Sequence, residues 1–177
     1  DTRKFIIADT PGHEQYTRNM ATGASTADLA IVLIDARKGV LAQTKRHSYI
    51  TALMGIRHIV IAINKMDLVG YDKDVYLDIK SQYESIIGQL PNFESISFYY
   101  VPISALSGDN IVLKSKNMTW YDSSVLIELL NDIDIEKQDG SSEKYFKMSV
   151  QYVNRPHLDF RGFCGLILEG EVVVGQN

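Results

Sequence analysis

The chain has 177 residues, of which 45% are hydrophobic, and its 18 basic and 22 acidic side chains give a net charge of −4. This composition is typical of a globular chain with enough apolar residues for a core, and it lacks the clustered positive charge that nucleic-acid binding needs. The single cysteine, Cys164, excludes a disulfide within the chain and agrees with a reducing compartment.

The apolar runs of the sequence are too short to span a bilayer. The longest, Leu29 to Ile34 and Ile59 to Ile63, fall far short of the roughly 20 residues that a membrane helix needs. No signal peptide opens the chain. We therefore expect a cytoplasmic protein with neither a membrane partner nor a nucleic-acid partner.

Short apolar runs alternate with helical patterns and predict an α/β fold. The runs are Lys4 to Ala8, Leu29 to Asp35, His58 to Asn64 and Phe98 to Ile103. Runs this short and this uniformly apolar are typical of parallel strands that are buried on both faces. We expect a mostly parallel sheet with helices packed on each side.

Helical segments are predicted between and after these strands. Gln43 to Met54 reads as a helix that closes at Gly55, a good C-terminal cap. From Val75 to Leu90 the apolar residues recur at spacings of three and four, which predicts one apolar helical face. A last helix is expected to begin near residues 122–124, where Asp and Ser side chains can cap its free amides.

The composition changes after residue 131. Residues 132–144 are acidic and contain Gly and Ser, which favours a linker. Beyond them Phe146 to Val153, Phe163 to Leu168 and Val172 to Val174 are predicted strands. The expected organisation is a partial α/β domain over 1–131, a linker over 132–144, and the first strands of an antiparallel β-barrel domain over 145–177.

Asp9, Thr10, Pro11, Gly12 and His13 form a motif at the end of the first predicted strand. Ligands bind at the carboxyl ends of strands in α/β sheets. A carboxylate at Asp9 can hold Mg²⁺ through water, and glycine lets the Gly12 amide approach a γ-phosphate. Taken alone, Asp-Thr-Pro-Gly is equally typical of an ordinary turn. His13 directly follows the glycine, and only this position indicates that it orients a water toward the γ-phosphate.

Two further motifs follow the next predicted strands. Asn64-Lys65-Met66-Asp67 ends one strand, and the carboxylate of Asp67 can accept two hydrogen bonds from the N1–H and the amine of guanine. Lys65 can lie along the base, and Asn64 can tie neighbouring loops together. Ser104-Ala105-Leu106 follows another strand, where the Ala105 amide can donate to guanine O6. In this order, the motifs predict a GTP-binding protein with a phosphate side and a guanine side.

The sequence contains no G-x-x-x-x-G-K-[ST] phosphate loop. Such a loop follows the first strand of these folds, and this chain begins without Met at a predicted strand. We expect the N-terminal part of the GTPase domain, with the phosphate loop and switch I, to lie outside these residues. By themselves, the 177 residues are therefore expected to bind GTP weakly or not at all and to be inactive.

The segment from Asp9 to Ser25 resembles translation-factor GTPases, in which histidine follows the glycine. Finer features are similar to the GTPase subunit of bacterial sulfate adenylyltransferases. They are Glu14 to Arg18, Ile34 to Val40, Ser107 to Asn110 with Met118 to Tyr121, and above all Gln151 to Pro156 with Asp159 to Gly162. The resemblance covers essentially the whole chain, and it is specific because the last two segments lie outside the nucleotide motifs that all such GTPases share.

This resemblance implies a heterodimer whose smaller subunit makes adenosine 5′-phosphosulfate from ATP and sulfate, while the larger subunit hydrolyses GTP to drive that step. GTP and Mg²⁺ are the implied cofactors, with Asp9, Gly12 and His13 on the phosphate side. The alternative is a translation elongation factor that carries aminoacyl-tRNA, against which the acidic balance and Asn154-Arg155-Pro156 argue. A third reading is a non-catalytic folding or interaction unit.

Overall fold

The structure is a computed structural model that describes residues 3–10, 17–135 and 145–175. It divides into two compact units, residues 1–135 and residues 136–177. The predicted partition at 131 and 144 stays a prediction, because most of the predicted linker lies outside the described residues. Across the described part of the chain, no helix combines the length and apolar character needed to cross a membrane.

The first unit contains a parallel three-stranded sheet. Its strands are β1 (Leu29–Asp35), β2 (His58–Asn64) and β3 (Ser97–Pro102), hydrogen-bonded in the order β1-β2-β3. The sequence predicted β1 and β2 at these residues, and it predicted β3 one residue too late. Asp35 pairs with Asn64 in the register, so polar residues at the carboxyl ends of β1 and β2 lie side by side.

Burial differs between the centre and the edge of this sheet. The β2 residues Ile59 to Ile63 are all fully buried, as expected for a parallel strand with neighbours on both sides. On β1, however, Val32 and Ile34 are buried while Ile31 and Leu33 are 44% and 63% exposed. The expectation of burial on both faces is therefore correct for β2 and wrong for β1, because only one face of that edge strand is covered by the described residues.

Four α-helices surround this sheet in the described part of the unit. They are α1 (Thr17–Ala24), α2 (Ala42–Leu53), α3 (Lys73–Ile87) and α4 (Leu126–Asp132). Asp72 caps α3 by accepting a hydrogen bond from the Asp74 amide at 2.7 Å. Tyr83 of α3 is fully buried and shares a 2.7 Å hydrogen bond with Ser48 of α2, which fixes these two helices against each other.

Two further predictions in the first unit differ from the structure, a strand that does not form and the starting point of the last helix. Lys4 to Ala8 is not a strand, and its Ile6 and Ile7 are 92% and 87% exposed; an apolar run becomes a strand only where it finds a ladder partner. The helix expected near residues 122–124 begins instead at Leu126, after Val125. There the Glu128 carboxylate accepts from the Val125 amide at 3.2 Å, so a side chain inside the helix supplies the cap.

The second unit contains an antiparallel pair of strands, β4 (Lys147–Asn154) and β5 (Gly162–Glu169). A bulge lies between Val150 and Tyr152, and there a Cβ on Gly165 would come within 1.8 Å of the Ser149 carbonyl oxygen, so only glycine fits. Both predicted strands are confirmed within one residue. The third, Val172 to Val174, is wrong: these residues form no strand and are exposed, because they have no ladder partner among the described residues.

Candidate functional site

The carboxyl ends of the three parallel strands bring together the residues of two predicted motifs. Asn64 ends β2, and Ser104 follows β3 after Ile103. The amide of Met66 donates to the Ile103 carbonyl oxygen at 3.2 Å, so the loop after β2 lies against the loop after β3. Met66 itself is fully buried and holds the first of these loops to the core.

The side chain of Asn64 joins the two loops. Its Oδ1 accepts from the Lys65 amide at 2.7 Å and from the Ala105 amide at 3.0 Å. Lys65 has φ of 67°, a left-handed conformation that costs a non-glycine residue about 1 kcal/mol. The local hydrogen bond to Asn64 offsets that cost and directs the chain into the short 3₁₀ turn Met66–Val69, which carries Asp67.

Asp67 is held by the second loop. The buried Ser104 hydroxyl donates to its Oδ1 at 2.6 Å, and the same hydroxyl accepts from the Ser107 amide at 3.2 Å. A short hydroxyl-to-carboxylate bond of this kind is charge-assisted and among the stronger ones in proteins. Asp67 therefore has a fixed orientation at the end of the sheet.

Lys65 reaches back to the first strand of the sheet. Its Nζ donates to Oδ2 of Asp35 at 3.0 Å, and the Arg37 guanidinium donates to both oxygens of the same carboxylate at 2.6 and 3.0 Å. The hydrogen bonds from Arg37, joined by the one from Lys65, hold the pKa of Asp35 well below its ordinary value despite partial burial. This carboxylate is ionised at neutral pH and fixes the Lys65 side chain over the strand ends.

The phosphate-side motif is described only in part. Asp9 is exposed and Thr10 is half-buried, and Thr10 lies beside Gly23 of α1, where an added Cβ would be 3.0 Å from the threonine methyl. Pro11, Gly12 and His13 lie outside the described residues. None of the described hydrogen bonds joins Asp9 or Thr10 to the Asn64 and Ser104 loops.

This geometry can recognise a flat ligand edge that carries paired donors. A carboxylate has about four lone-pair sites, so the bond from Ser104 leaves Asp67 able to accept further donors. Ala105 is exposed, and its amide already donates to Asn64 Oδ1 at 3.0 Å, so a ligand acceptor at this position would share that donor. Leu106 is 90% exposed and contributes loop backbone rather than packing. Among the described residues no cluster of three or more His, Cys, Asp or Glu side chains could hold a metal ion.

Sequence reasoning missed Asp35 and Arg37 as site residues. A signal for Asp35 was present, because it is a carboxylate at the carboxyl end of a predicted buried strand, the position where ligands bind in such sheets. For Arg37 there was no such signal, since its role depends on a turn that folds its guanidinium back onto Asp35. Lys38 and Gly39 close that turn through their amides, which donate to the Asp35 carbonyl oxygen.

Known proteins resemble this chain over most of its length. The family described as elongation factor Tu GTP binding domain matches residues 1–154. Sulfate adenylyltransferase subunit 1 of Psychromonas ingrahamii is 62% identical over 176 residues, which cover 99% of this chain and 36% of that protein. The same subunit of Shewanella woodyi is 59% identical, with the same two coverages. The chain thus spans little more than a third of the length of the curated relatives it matches.

Solved structures of translation GTPases resemble the fold at lower identity. Sup35 complexed with GMPPNP has a TM-score of 0.58 at 27% identity, over 72% of this chain and 34% of that one. Elongation factor SelB of Methanococcus maripaludis, in complex with the GTP analogue GppNHp, has a TM-score of 0.55 at 26% identity. That likeness covers 82% of this chain and 28% of the SelB chain.

Proposed function

Because the chain belongs to the family of elongation factor Tu GTP-binding domains, we propose that it is the guanine-nucleotide-binding part of a sulfate adenylyltransferase subunit 1. The observation that carries this proposal is the joined pair of loops after β2 and β3. There the fixed carboxylate of Asp67 and the amide of Ala105 stand within one hydrogen-bonded network. The high identity to subunits of that name supports the specific enzyme.

On the guanine side, Asp67 accepts from N1–H and from the exocyclic amine of the base, a pair of donors that adenine does not offer. The Ala105 amide is shared between Asn64 Oδ1 and guanine O6, Asn64 keeps the two loops together, and Lys65 lies along the base plane. Ser104 orients Asp67, and Leu106 completes the loop. The support for these roles is the set of short contacts among Asn64, Asp67, Ser104 and Ala105.

On the phosphate side, Asp9, Thr10, Pro11 and Gly12 line the γ-phosphate, and His13 orients the attacking water. The exposed carboxylate of Asp9 suits Mg²⁺ held through water, since this ion keeps several waters and takes few protein ligands when phosphate oxygens complete its shell. Bound there, Mg²⁺ supplies neutralisation of phosphate charge. The chain's own contribution is the Gly12 amide, which approaches the phosphate closely because glycine has no side chain.

In the whole protein this domain hydrolyses GTP and couples that reaction to the synthesis of adenosine 5′-phosphosulfate from ATP and sulfate. The partner is the smaller adenylyltransferase subunit; the name of the relatives, subunit 1, supports the existence of a partner. The proposed location is the cytoplasm. The lone cysteine, which is exposed and free, is consistent with a reducing compartment.

The rival function, an elongation factor that delivers aminoacyl-tRNA, is not favoured. The translation factors resemble this chain in structure, but their sequence identity to it is much lower than that of the sulfate adenylyltransferase subunits. They share the fold with this chain, and fold alone does not fix function.

Competition titration of the full-length protein with GDP and ADP tests the proposed nucleotide site. We expect GDP to bind at least about 10³-fold more tightly, because a site built for N1–H and an exocyclic amine leaves polar groups unpaired with adenine. Equal affinities for the two nucleotides would refute guanine recognition by these loops. Phosphosulfate synthesis in the presence of the smaller subunit separately tests the assignment to sulfate activation.

A further inference from the structure

Asp109 lies outside every motif assigned to the nucleotide site, yet it contacts both loops that form the guanine side. It follows the Ser104 loop and is half-buried. Its Oδ1 accepts from the Ser115 hydroxyl at 2.5 Å, and its Oδ2 accepts from the Tyr71 hydroxyl at 3.1 Å. Both carboxylate oxygens are thus engaged by side chains of the first unit.

Tyr71 closes the turn that carries Asp67. Its amide donates to the Met66 carbonyl oxygen at 2.8 Å, and its own carbonyl oxygen accepts from the Trp120 indole at 3.0 Å. Tyr71 also has φ of 58°, a conformation that persists in a non-glycine residue only when its surroundings hold it. The position of the Tyr71 side chain therefore depends on the geometry of the turn that carries Asp67.

The backbone of Asp109 holds the other loop. The Ser104 amide donates to the Asp109 carbonyl oxygen at 3.2 Å, and the Gly108 amide donates back to Ser104 at 2.8 Å. The next residue, Asn110, is buried and anchors this loop by donating to the Pro102 carbonyl oxygen at 2.9 Å. Ser104 is in turn the residue whose hydroxyl holds Asp67.

These contacts form a closed ring. It runs from Asp67 along the chain to Tyr71, through the tyrosine hydroxyl to the Asp109 carboxylate, through the Asp109 carbonyl to Ser104, and through the serine hydroxyl back to Asp67. We propose that Asp109 and Tyr71 are positioning residues for guanine recognition, which fix the angle of the Asp67 carboxylate by closing this ring. The proposal rests on the proposed function of Asp67 as the reader of the base.

The closed ring of contacts predicts a specific effect on nucleotide selectivity. Asp67 must meet two donors of guanine at once, whereas inosine lacks the exocyclic amine and offers only N1–H. When the ring is opened, a less fixed Asp67 loses the second contact first, because paired hydrogen bonds need tighter geometry than a single one. The ratio of IDP to GDP dissociation constants should fall toward one, while binding of the phosphates is unaffected.

The test is the measurement of GDP, IDP and ADP dissociation constants for full-length wild type and for the variants Tyr71→Phe and Asp109→Ala. Tyr71→Phe removes a single hydroxyl from the ring and keeps the packing. We expect each variant to lower the IDP/GDP ratio by about fivefold to tenfold, the scale of losing one typical net hydrogen bond. The double variant should lower it no further than Asp109→Ala alone, because both act through one bond.

Asp122→Asn serves as the matched control. It removes a carboxylate from an exposed residue that contributes only its carbonyl oxygen to a described hydrogen bond, with Lys114 at 3.2 Å, and it should leave the ratio unchanged. An unchanged ratio in both ring variants, with or without a lower melting temperature, would overturn the positioning role and leave the proposed function standing. If wild type fails to prefer GDP over ADP, both are wrong.

Discussion

The ammonium of Lys65 donates to the carboxylate of Asp35 at 3.0 Å, across the carboxyl ends of β2 and β1. The two residues are 30 positions apart in the chain, and the parallel register brings their strand ends together because Asp35 pairs with Asn64. Arg37 completes the cluster with a 2.6 Å contact to the same oxygen. The Lys65 side chain, which is expected to lie along the base, is therefore held by an ion pair within the protein itself.

Replacing Asp35 by Asn should reduce stability at neutral pH and remove a pH dependence. The folded-state pKa of Asp35 is depressed by Arg37 first and then by Lys65, so its stabilisation is present above the ordinary aspartate pKa of about 3.9. That stabilisation is lost as the pH falls below this value through the folded-state pKa. Urea unfolding of both proteins should show a constant difference in midpoint above about pH 5 that shrinks below about pH 4.

The control for this experiment is Asp78→Asn. Asp78 is an exposed carboxylate on α3 that accepts a hydrogen bond from the neutral amide of Gln82. Because no cation takes part in that contact, its replacement should leave the acid dependence of the unfolding midpoint as in wild type. A midpoint difference for Asp35→Asn that does not change with pH would show that the charge cluster has no role in stability.

Asp67→Asn in the full-length protein should shift nucleotide preference from guanine to xanthine. The amide donates where the carboxylate accepted, and xanthine presents a carbonyl oxygen at that edge. We expect GTP affinity to fall by at least about 10²-fold and XTP to become the better ligand, since mismatched polar groups in a base pocket are costly. Competition binding with GTP and XTP measures both effects.

Ser104→Ala is the companion variant. It removes the 2.6 Å bond to Asp67 without changing the acceptor character of the carboxylate. It should weaken GTP binding and leave GTP preferred over XTP. If Asp67→Asn retained its preference for GTP, Asp67 would have no part in reading the base.

The parts of this protein that the sequence predicts well depend on local patterns. β1 and β2 have the predicted bounds because the polar residues at the ends of a uniformly apolar run mark where the strand begins and ends. Lys4 to Ala8 has the same kind of pattern and is not a strand, because a strand also requires a partner, which no local pattern supplies. Ile31 and Leu33 on β1 are exposed for a similar reason, because no local pattern shows whether another element will cover that face of the strand.

The candidate site divides in a similar way. Asn64, Asp67 and Ser104 could be named from their motifs, and the structure brings them into one network. The contact of Tyr71 with Asp109 joins residues 38 positions apart, and nothing in the order of residues indicates it. Such contacts depend on how two loops fold against each other, a tertiary effect that spacing rules do not contain.

His13→Ala in the full-length protein should slow GTP hydrolysis by at least about 10²-fold, the usual scale for the loss of a group that handles a proton or orients water. GTP affinity should remain nearly unchanged, because the proposed role of the residue is to act on the water and not on the nucleotide. Single-turnover hydrolysis and equilibrium binding separate these two quantities.

His47→Ala provides the histidine control. His47 lies on α2 and shares a 2.8 Å hydrogen bond with Gln43, which is a structural contact, so its loss should not change the hydrolysis rate. If His13→Ala lowered GTP affinity and left the hydrolytic step unchanged, His13 would be a structural residue.

The last prediction concerns the coupling of GTP hydrolysis to sulfate activation. Forming a phosphosulfate anhydride from ATP and sulfate is uphill, so under the proposed function GTP can drive it only if the GTP and GDP states of the full-length protein interact differently with the proposed smaller subunit. The segment Gly12 to Gly23 is the expected reporter, because it joins the γ-phosphate motif to α1 (Thr17–Ala24), and a helix at such a position can shift on hydrolysis. A Cβ added at Gly23 would lie 3.0 Å from the Thr10 methyl, so Thr10 of the motif is a neighbour of this helix.

We therefore expect the full-length protein, mixed with its adenylyltransferase partner, to hydrolyse GTP faster when ATP and sulfate are both present. Adenosine 5′-phosphosulfate should accumulate beyond its GTP-free equilibrium. Phosphate release and phosphosulfate formation are measured in one reaction mixture, and omission of sulfate is the control that should return GTP turnover to its basal rate. Gly23→Val, which forces a larger side chain against Thr10, should reduce this stimulation more than it reduces GTP binding, because it changes the contact between the motif and the helix and leaves the guanine loops intact. GTP turnover that ignores ATP and sulfate but responds to ribosomes and aminoacyl-tRNA would replace the sulfate assignment with that of a translation factor.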